Sequence, residues 1–465
     1  MNLHCAVLII LQQAACQQGS SLVNFQHLEH LTEEIVFLGD TVNIVHVYSN
    51  YPDYHWVDAK ESGIEGIACV DDAARAAVLY LRNYQLTQDE QSLDRAKALL
   101  RFVLNMQAED GLFYNFILSD YSINRHGKTS YKSFGWWAAR ATWCMALGYR
   151  IFEPLDKRFA SRLRNGIDGA IPHVEALMEN YGQTDTIQGY AVPRWLLYGS
   201  AADATSELLL GLIEYYSATG IQGVRRLIEK LSDGLVVMQD GDMRTYPYAL
   251  HRSWQTSWHM WGNGQTQALA HAGRILNNRA MIKSAEREAK SFYSRLLIQG
   301  FRKQMDVAVS DKEVRFDQIA YGFRPMVVGL IRLYEATSDA DYLKMAGLAG
   351  SWFFGNNILN QQMYDPKTGR CFDGIKDSST VNKNSGAEST IEALYTVLEL
   401  EQHPIARRFL EFTRIEDVET RDYMYAVFQN ALDEEVTLAL DIGSSKLSIL
   451  EGTKSKEFQE NLKRH

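Results

Sequence analysis

Carboxylates in two segments, one near each end of the chain, are the groups best suited to chemistry. Asp71 and Asp72 stand at a predicted helix start in GIACVDDAARAAV, and Glu388 stands at another in VNKNSGAESTIEA. A carboxylate pair across a cleft can cleave a glycosidic bond, because one group protonates the leaving oxygen while the other activates water or attacks carbon. We therefore predict Asp71 or Asp72 with Glu388 as a catalytic pair, acting with inversion of configuration.

A structural role is the alternative for these three acids. Aspartate and glutamate are common at helix N-termini, where they accept backbone N–H bonds and interact favourably with the helix dipole. Arg75 also stands at helical spacing from both Asp71 and Asp72 and could pair with either. The acids alone therefore indicate helix starts as well as a catalytic site.

Aromatic residues are concentrated in the segment HRSWQTSWHMWGNGQ, which precedes a predicted helix. Tryptophan faces can stack on sugar rings, while imidazole and amide groups bond sugar hydroxyls. The substrate-binding residues predicted in this segment are Trp254, Trp258, His259, Trp261 and Asn263. Packing of buried tryptophans is the alternative explanation.

Further substrate-binding candidates come from other loops and helix starts rich in polar and aromatic residues. They are Tyr54, His55, Trp56, Glu65, Asp110, Trp136, Tyr321, Arg324 and Asp373. Arg324 could hold a sugar carboxylate, although a structural ion pair is the commoner role of such an arginine. His251 and His259 have no third ligand at suitable spacing, and the five cysteines form no CxxC pair, so no metal is predicted. Without Walker A, GxGxxG or HExxH motifs, no cofactor is expected either.

The elements that must position these residues are predicted to be helices. Apolar residues recur at three- and four-residue spacing from about Phe25 to Phe412. The predicted helices are Leu22 to Phe37, Ala73 to Tyr84, Ser92 to Met106, Trp136 to Phe152, Phe159 to Asn180, Ala204 to Ala218, Gln265 to Leu276, Ile282 to Leu296, Pro325 to Ala336 and Ser389 to Leu400, with weaker ones near Val224 and Ala346. Strand patterns are scarce, but the alternation from Val436 to Ile442 followed by LSILEG predicts a small C-terminal β-hairpin.

A weak internal repeat indicates how the helices are arranged. The loops MQAEDGLFYNF, MQDGDMRTYPY and MYDPKTGRCFDG share a Met–acidic–Gly–aromatic character, and their starts are 132 and 125 residues apart. If each interval holds two helical hairpins, one hairpin takes about 64 residues and six fill the helical region. The fold class predicted is therefore an all-α (α/α)6 toroid with a cleft at one face, against an open helical array as the alternative.

Composition and the N-terminal residues limit partners and location. The net charge is -10 and no basic run is present, so neither nucleic acid nor an anionic membrane is expected as a partner. The apolar run AVLIIL before Cys16 is typical of a secretory signal ending at a lipidated cysteine, which predicts a bacterial cell-envelope protein; a cytoplasmic protein with an ordinary N-terminal helix is the alternative. The predicted organisation is a signal segment at 1–20, the toroid at 22–412 and a C-terminal extension with a β-hairpin at 413–465.

Several motifs resemble those of six-hairpin glycosidase-like bacterial domains, and similar helical domains follow glycosyltransferase domains in some bacterial proteins. The matching motifs are CVDDAAR, TSELLLGL, WHMWGNGQTQAL, SWFFGNN and CFDG with VNKNSGAEST, over roughly Val47 to Glu401. The resemblance implies a toroid that acts on carbohydrate, with Asp71, Asp72 and Glu388 at matched motif positions. It favours a free-standing enzyme, because this chain lacks the transferase domain.

The predicted function is thus a glycoside hydrolase with a carbohydrate substrate. Alternatives on the same fold are a polysaccharide lyase or sugar epimerase, which would need His259, Tyr321 and Arg324 as bases or binding groups. A glycoside phosphorylase would require a pair of arginines in the cleft. A non-catalytic glycan-binding protein would need only the aromatic platforms and hydrogen bonds.

Overall fold

Helices make up the body of the protein in a computed structural model that describes residues 21–60, 65–310 and 312–463. The helices are α1 Gln26–Leu31, α2 Val70–Thr87, α3 Glu90–Asn105, α4 Trp136–Phe152, α5 Lys157–Leu177, α6 Ala202–Thr219, α7 Gln222–Val237, α8 Gln265–Leu276, α9 Arg279–Glu288, α10 Ser294–Gln299, α11 Phe323–Thr337, α12 Asp341–Gly350, α13 Ala387–Glu401, α14 Pro404–Phe409 and α15 Thr453–Lys463. A π-helical turn, Ala289–Tyr293, joins α9 to α10. Every long helix predicted after residue 70 is present.

Six helical hairpins close into a ring. The first helix of each hairpin lies inside, and contacts run from α2 to α4, α6, α8, α11 and α13 and then back to α2. The paired outer helices are α3, α5, α7, α9, α12 and α14. The inner helices start about every 64 residues, which is the hairpin length inferred from the repeat. The prediction of an (α/α)6 toroid is confirmed.

Close packing of the inner helices depends on small residues as well as large apolar ones. One close approach lies between α4 and α6, where Gly211 faces the backbone of α4. A Cβ atom at Gly211 would lie 2.8 Å from the Cα atom of Trp143, well inside van der Waals contact. A larger residue at this position would force the two helices apart, because side chains in protein interiors are close-packed.

The three repeated loops each follow an outer helix. The loop at Met106 follows α3, the loop at Met238 follows α7, and the loop at Met363 follows α12. They therefore connect alternate hairpins to the next inner helix, on the face where the inner helices begin. The repeat in the sequence corresponds to two hairpins of the ring.

Short antiparallel strands occur throughout the loops, so the expectation of few strands before the C-terminal tail is wrong. The strands are β1 Thr32–Phe37, β2 Asp40–Val45, β3 Tyr48–Asn50, β4 His55–Val57, β5 Ala68–Cys69, β6 Phe116–Ile117, β7 Thr184–Ile187, β8 Tyr190–Pro193, β9 Gln239–Asp240, β10 Leu250–His251, β11 Ser257–His259, β12 Gln304–Asp306, β13 Glu313–Val314, β14 Gln318–Ile319, β15 Tyr364–Asp365, β16 Arg370–Cys371, β17 Gly374–Ile375, β18 Val381–Asn382, β19 Thr413–Glu419, β20 Tyr423–Gln429, β21 Glu435–Asp441 and β22 Lys446–Glu451. Most have two to four residues, too few to show an alternating pattern.

The predicted helix from Leu22 to Phe37 is also wrong in its second half. Helix α1 ends at Leu31, and the next residues form β1, which pairs with β2 in a hairpin. The turn uses Leu38 and Gly39, both with positive φ, as a tight two-residue hairpin requires. Side chains then alternate, with Phe37 buried and Val36 exposed. Tertiary packing of this hairpin overrides the helical propensity of the segment.

The C-terminal extension is a four-stranded antiparallel sheet, β19 to β22 in order, followed by α15. The predicted hairpin is present as β21 and β22, but it is half of the sheet. One face of β20 packs on the toroid through Met424, Ala426 and Phe428, and the other packs Tyr425 against Phe458 of α15. Because β20 is buried on both faces, its sequence YMYAVFQ lacks the alternation of a half-buried strand.

The length and hydrophobicity of the helices determine whether any could span a membrane. Within the described ranges, none is long and apolar enough to cross a bilayer. The predicted signal segment, with Cys16, lies outside the described residues, so the envelope location stays a prediction.

Candidate active-site cleft

A cavity of about 700 Å³ opens on the face of the ring where the inner helices begin. Its lining comes from all six inner helices or the loops before them and includes carboxylates, arginines and tryptophans. These residues are Asp71, Arg75, Asn115, Thr129, Trp136, Trp137, Arg140, Asp203, His259, Trp261, Tyr321 and Glu388. We call this cavity the cleft.

Three carboxylates of the cleft occupy equivalent positions. Asp71, Asp203 and Glu388 are each the second residue of an inner helix, α2, α6 and α13 respectively. At this position a carboxylate lies near the positive end of the helix dipole and points towards the ring's open face. The fold therefore presents three acids to one space from three separate parts of the chain.

Arg75 connects two of these acids beneath the cleft. Its Nη1 atom lies 2.5 Å from Glu388 Oε1 and 3.7 Å from Asp71 Oδ2, so these two oxygens are no more than about 6 Å apart. Its Nε atom lies 3.1 Å from Glu392, one turn further along α13. This bound on the distance between Asp71 and Glu388 applies to one oxygen of each carboxyl group, so inversion, for which carboxyl groups about 6.5–9.5 Å apart are usual, stays a prediction.

Asp71 is held in its ionised form by two arginines. Its Oδ1 atom lies 2.6 Å from Nη1 of Arg140, whose guanidinium in turn stacks over the ring of Trp136 at 4.8 Å. Burial acts to raise the pKa of Asp71, but Arg140 and then Arg75 outweigh it and hold the pKa below its ordinary value. The carboxylate is partly exposed to the cleft and suited to act as a base or nucleophile.

Asp72 lies behind the cleft lining. Its side chain is almost fully buried, and its oxygens contact Cys69 Sγ at 3.3 Å and Arg75 Nη1 at 3.1 Å. Burial, followed by the nearby charge of Glu388, raises the pKa of Asp72 to about 7. The prediction allowed either aspartate in the catalytic pair, and the structure exposes Asp71 to the cleft.

Asp203 forms a second polar centre across the cleft. Its Oδ2 atom lies 2.9 Å from His259 Nε2, and its Oδ1 atom accepts a 2.7 Å bond from the backbone N–H of Ala204. His259 stacks on Trp261 with ring centroids 4.2 Å apart. Burial raises the pKa of Asp203, and the interaction with His259 offsets this rise in part. Asp203 is thus easier to protonate than an ordinary aspartate.

The floor of the cleft is an ion-pair network one helical turn below the acids. Arg324 lies 2.7 Å from Glu207 and 2.5 Å from Glu392, and it donates a further bond to Gln267 at 2.7 Å. All four side chains are buried. Arg324 is therefore committed to a structural network, and the prediction that it could bind a sugar carboxylate is not supported.

Of the other predicted site residues, Trp136, His259, Trp261 and Tyr321 line the cleft with Asp71 and Glu388. Two further residues lie next to it. Glu65 is buried and accepts a hydrogen bond from Thr129, which does line the cleft. Asp373 accepts the backbone N–H of Gly386 and so supports the loop before Glu388.

The remaining predicted residues lie outside the lining. Trp258 and Asn263 are fully buried, because β11 turns Trp258 towards Phe292 in the core. Trp254 is exposed next to the loop at Ala201. The other four serve local contacts elsewhere: Tyr54 with Arg370, exposed His55 with Asp53, Trp56 stacked on His46, and Asp110 paired with Lys132.

Sequence reasoning missed Asp203 and Arg140. A signal for Asp203 was present, because SAADATSELLL resembles ACVDDAARAAV in placing an acid among small residues at an inner-helix start. Arg140 could have been noticed as a lone charge in the apolar helix WWAARATW. Within the parts of the chain that the structure describes, no group of three or more His, Cys, Asp or Glu side chains is arranged to hold a metal ion.

Comparison with solved structures supports the fold. A sugar epimerase from a ruminal bacterium matches with a TM-score of 0.54 and 15% identity over 86% of this chain and 99% of that one. Cellobiose 2-epimerase from Bacillus thermoamylovorans matches with a TM-score of 0.57 and 11% identity over 86% of this chain and 100% of that one. A family 76 glycoside hydrolase from a bovine Bacteroides thetaiotaomicron strain matches with a TM-score of 0.53 and 16% identity over 82% of this chain and 78% of that one. These enzymes share the (α/α)6 six-hairpin fold with this chain. A scan against protein-family models and a search of curated proteins found no match.

Proposed function

We propose that this protein is a carbohydrate-active enzyme, and specifically a glycoside hydrolase whose catalytic groups are Asp71 and Asp203. The supporting observation is a cleft in which Asp71 is paired with Arg75 and Arg140 while Asp203 is buried against His259, surroundings that shift their pKa values in opposite directions. Such a pair supplies both a base that stays ionised and an acid that can stay protonated, as glycosidic cleavage requires. The neighbouring folds are those of sugar epimerases and a glycoside hydrolase, which agrees with a carbohydrate substrate.

The roles follow from the surroundings of each acid. Asp71, between Arg75 and Arg140, acts on water or on the anomeric carbon. Asp203 protonates the leaving oxygen, and its contact with His259 fixes its orientation. Glu388 is the most exposed of the three acids, and its Oε1 atom is paired with Arg75 at 2.5 Å. We therefore assign Glu388 to the binding of sugar hydroxyls rather than to proton donation.

The aromatic residues and the charges of the cleft indicate a neutral substrate. Trp136 and Trp261 are partly exposed at the wall and can stack on the apolar faces of sugar rings. Both arginines of the lining are already paired with carboxylates. A uronate or phosphate group would therefore meet acids without an unpaired cation to balance it. This argues against a polysaccharide lyase and against a phosphorylase, although the cleft does contain two arginines.

A sugar epimerase is the alternative that the epimerase neighbours suggest. It would require bases that face the sugar ring. His259 uses Nε2 for Asp203, and its Nδ1 atom is buried. Burial, followed by the charge of Glu388, raises the pKa of Tyr321 well above its ordinary value, so the phenol stays protonated. Neither residue is suited to remove a proton from carbon, and the carboxylates favour hydrolysis.

Aryl glycosides with good and poor leaving groups test the two roles. Asp71→Asn should abolish turnover of both kinds of substrate. Asp203→Asn should abolish turnover of the poor leaving group and retain much of it with the good one, because a good leaving group needs no proton. Asp110→Asn, at an exposed aspartate outside the lining, is the matched control and should behave as wild type.

Two outcomes would change the assignment. If Glu388→Gln shows the dependence on leaving group and Asp203→Asn does not, Glu388 is the acid, as the sequence predicts. If all three variants keep wild-type turnover, the cleft is not the site of hydrolysis.

A further inference from the structure

A second cavity, of about 560 Å³, lies outside the cleft and shares none of its lining residues. It is formed by Tyr54 and by the loop that leads from α12 towards α13. The residues that matter for its chemistry are Tyr54, Gln361, Gln362, Asp365, Thr368 and Arg370. We call it the Arg370 pocket.

The guanidinium of Arg370 has no anionic partner. It stacks over the ring of Tyr54, 4.4 Å from the centroid, and within residues 21–60, 65–310 and 312–463 it makes no ion pair or hydrogen bond. Its Nε atom is shielded from solvent. The side chain as a whole is only partly buried, so its remaining N–H groups can donate to a ligand that brings acceptor oxygens into the cavity.

Asp365, the carboxylate in the lining of this cavity, does not compensate the charge of Arg370. Asp365 is paired with Arg370 in the β15–β16 register. Its oxygens instead accept bonds from the backbone N–H of Lys367 at 3.0 Å and from the hydroxyl of Thr368 at 2.8 Å. Asp365 thus holds the turn between the strands, and Arg370 stays available at the cavity.

Two glutamines supply hydrogen-bond acceptors in the same cavity. The amide N–H groups of Gln361 and Gln362 donate to the carbonyls of Gln362 and Tyr364, at 3.0 and 2.9 Å. Among the described residues nothing donates to either Oε1 atom, so both can accept bonds from ligand hydroxyls. A ligand with one acidic group and several hydroxyls would satisfy both kinds of group.

We propose that the Arg370 pocket binds an acidic sugar through its carboxylate. A planar carboxylate matches the guanidinium fork with two parallel N–H···O bonds, and the sugar hydroxyls would donate to the glutamines. The charge of Asp365 in the same lining disfavours a doubly charged phosphate. This proposal is independent of hydrolysis in the cleft, whose substrate is expected to be neutral.

Binding of glucuronate to the full chain, followed by calorimetry and saturation-transfer NMR, tests the proposal. Wild type should bind glucuronate saturably and should bind glucose and inorganic phosphate much more weakly. Arg370→Gln should weaken glucuronate binding by about tenfold or more, the usual loss for a charge-assisted hydrogen-bond pair. Arg370→Lys should fall between the two, because it keeps the charge but loses the fork. Arg226→Gln, at an exposed arginine on α7, is the control and should bind as wild type.

The results distinguish failure of this proposal from failure of the proposed hydrolysis in the cleft. Absence of glucuronate binding by wild type, or equal binding by well-folded Arg370→Gln and Arg370→Lys variants, overturns the proposal. Phosphate binding as tight as glucuronate binding would refute the sugar assignment. Because the readout is binding, failure here leaves hydrolysis of neutral glycans untouched, and loss of that hydrolysis leaves this proposal untouched.

Discussion

Removal of Arg140 should move the acid limb of the pH–rate profile to higher pH. Arg140 lies 2.6 Å from Asp71 in a site where burial alone would raise the pKa of the carboxyl group. At an effective dielectric near 20, a pair of charges about 4 Å apart interacts by about 4 kcal/mol, and an adjacent arginine commonly lowers an aspartate pKa by about 1–3 units. Arg140→Gln should therefore shift the limb upward by about one to three pH units.

The direction of the shift in the acid limb follows from the protonation state in which Asp71 is active. As the base, Asp71 works when ionised, so activity falls as pH drops through its pKa. In wild type that pKa lies below its ordinary value, and without Arg140 burial is less fully opposed. The pH dependence of kcat/KM reports this pKa in the free enzyme.

The matched control for this experiment is Arg150→Gln. Arg150 is on the same helix, α4, but lies in its last turn, far from the cleft, and pairs with Glu214. Its removal should leave the acid limb in place. An unchanged limb in Arg140→Gln, with activity retained, would refute the assignment of Asp71 as the base.

Three further predictions concern stability and location. Arg324→Met should lower the free energy of unfolding in urea by about 3–5 kcal/mol, because it leaves Glu207 buried without its paired cation and Glu392 with Arg75 alone. A loss below about 1 kcal/mol would contradict the network. Gly211→Ala should cost about 1–3 kcal/mol in the same assay, since its Cβ would meet the backbone of α4, and equal stability would show that the ring can expand. Cys16→Ser should move the expressed protein from the membrane fraction to the soluble fraction, and an unchanged distribution would refute a lipid anchor at Cys16.

The ring itself was predictable because its signals are local or periodic. Each inner helix is a long apolar segment, and the loops at Met106, Met238 and Met363 mark alternate hairpins. The short loop strands were not predictable, since two or three residues carry no pattern. The end of α1 at Leu31 was missed because the β1–β2 hairpin, with its turn at Leu38 and Gly39, packs on the protein and overrides the helical propensity of the segment.

The candidate site was predictable in part. The sequence indicates that Asp71 and Glu388 occupy helix starts, and ring closure then brings them to one arginine. It does not indicate which tryptophans face outward, because that depends on how each loop strand is turned. Trp258 is consequently buried and Trp261 lines the cleft, although they are three residues apart.

Three of the inner-helix starts carry equivalent residues. Asp71, Asp203 and Glu388 all stand second in their helices, and Glu207 and Glu392 follow four residues later. This correspondence becomes apparent once the helix boundaries are known to within one residue. Sequence patterns alone do not give boundaries at that precision.

The most direct test of hydrolysis in the cleft is incubation of the protein with a panel of neutral oligosaccharides in ¹⁸O-labelled water. Mass spectrometry then follows chain length and label at the newly formed reducing end, beside the Asp71→Asn variant. We predict shorter products that carry the label in wild type and intact substrate in the variant. Products of unchanged mass and altered configuration would show an epimerase, and shorter products from the Asp71→Asn variant at the wild-type rate would contradict the proposed site.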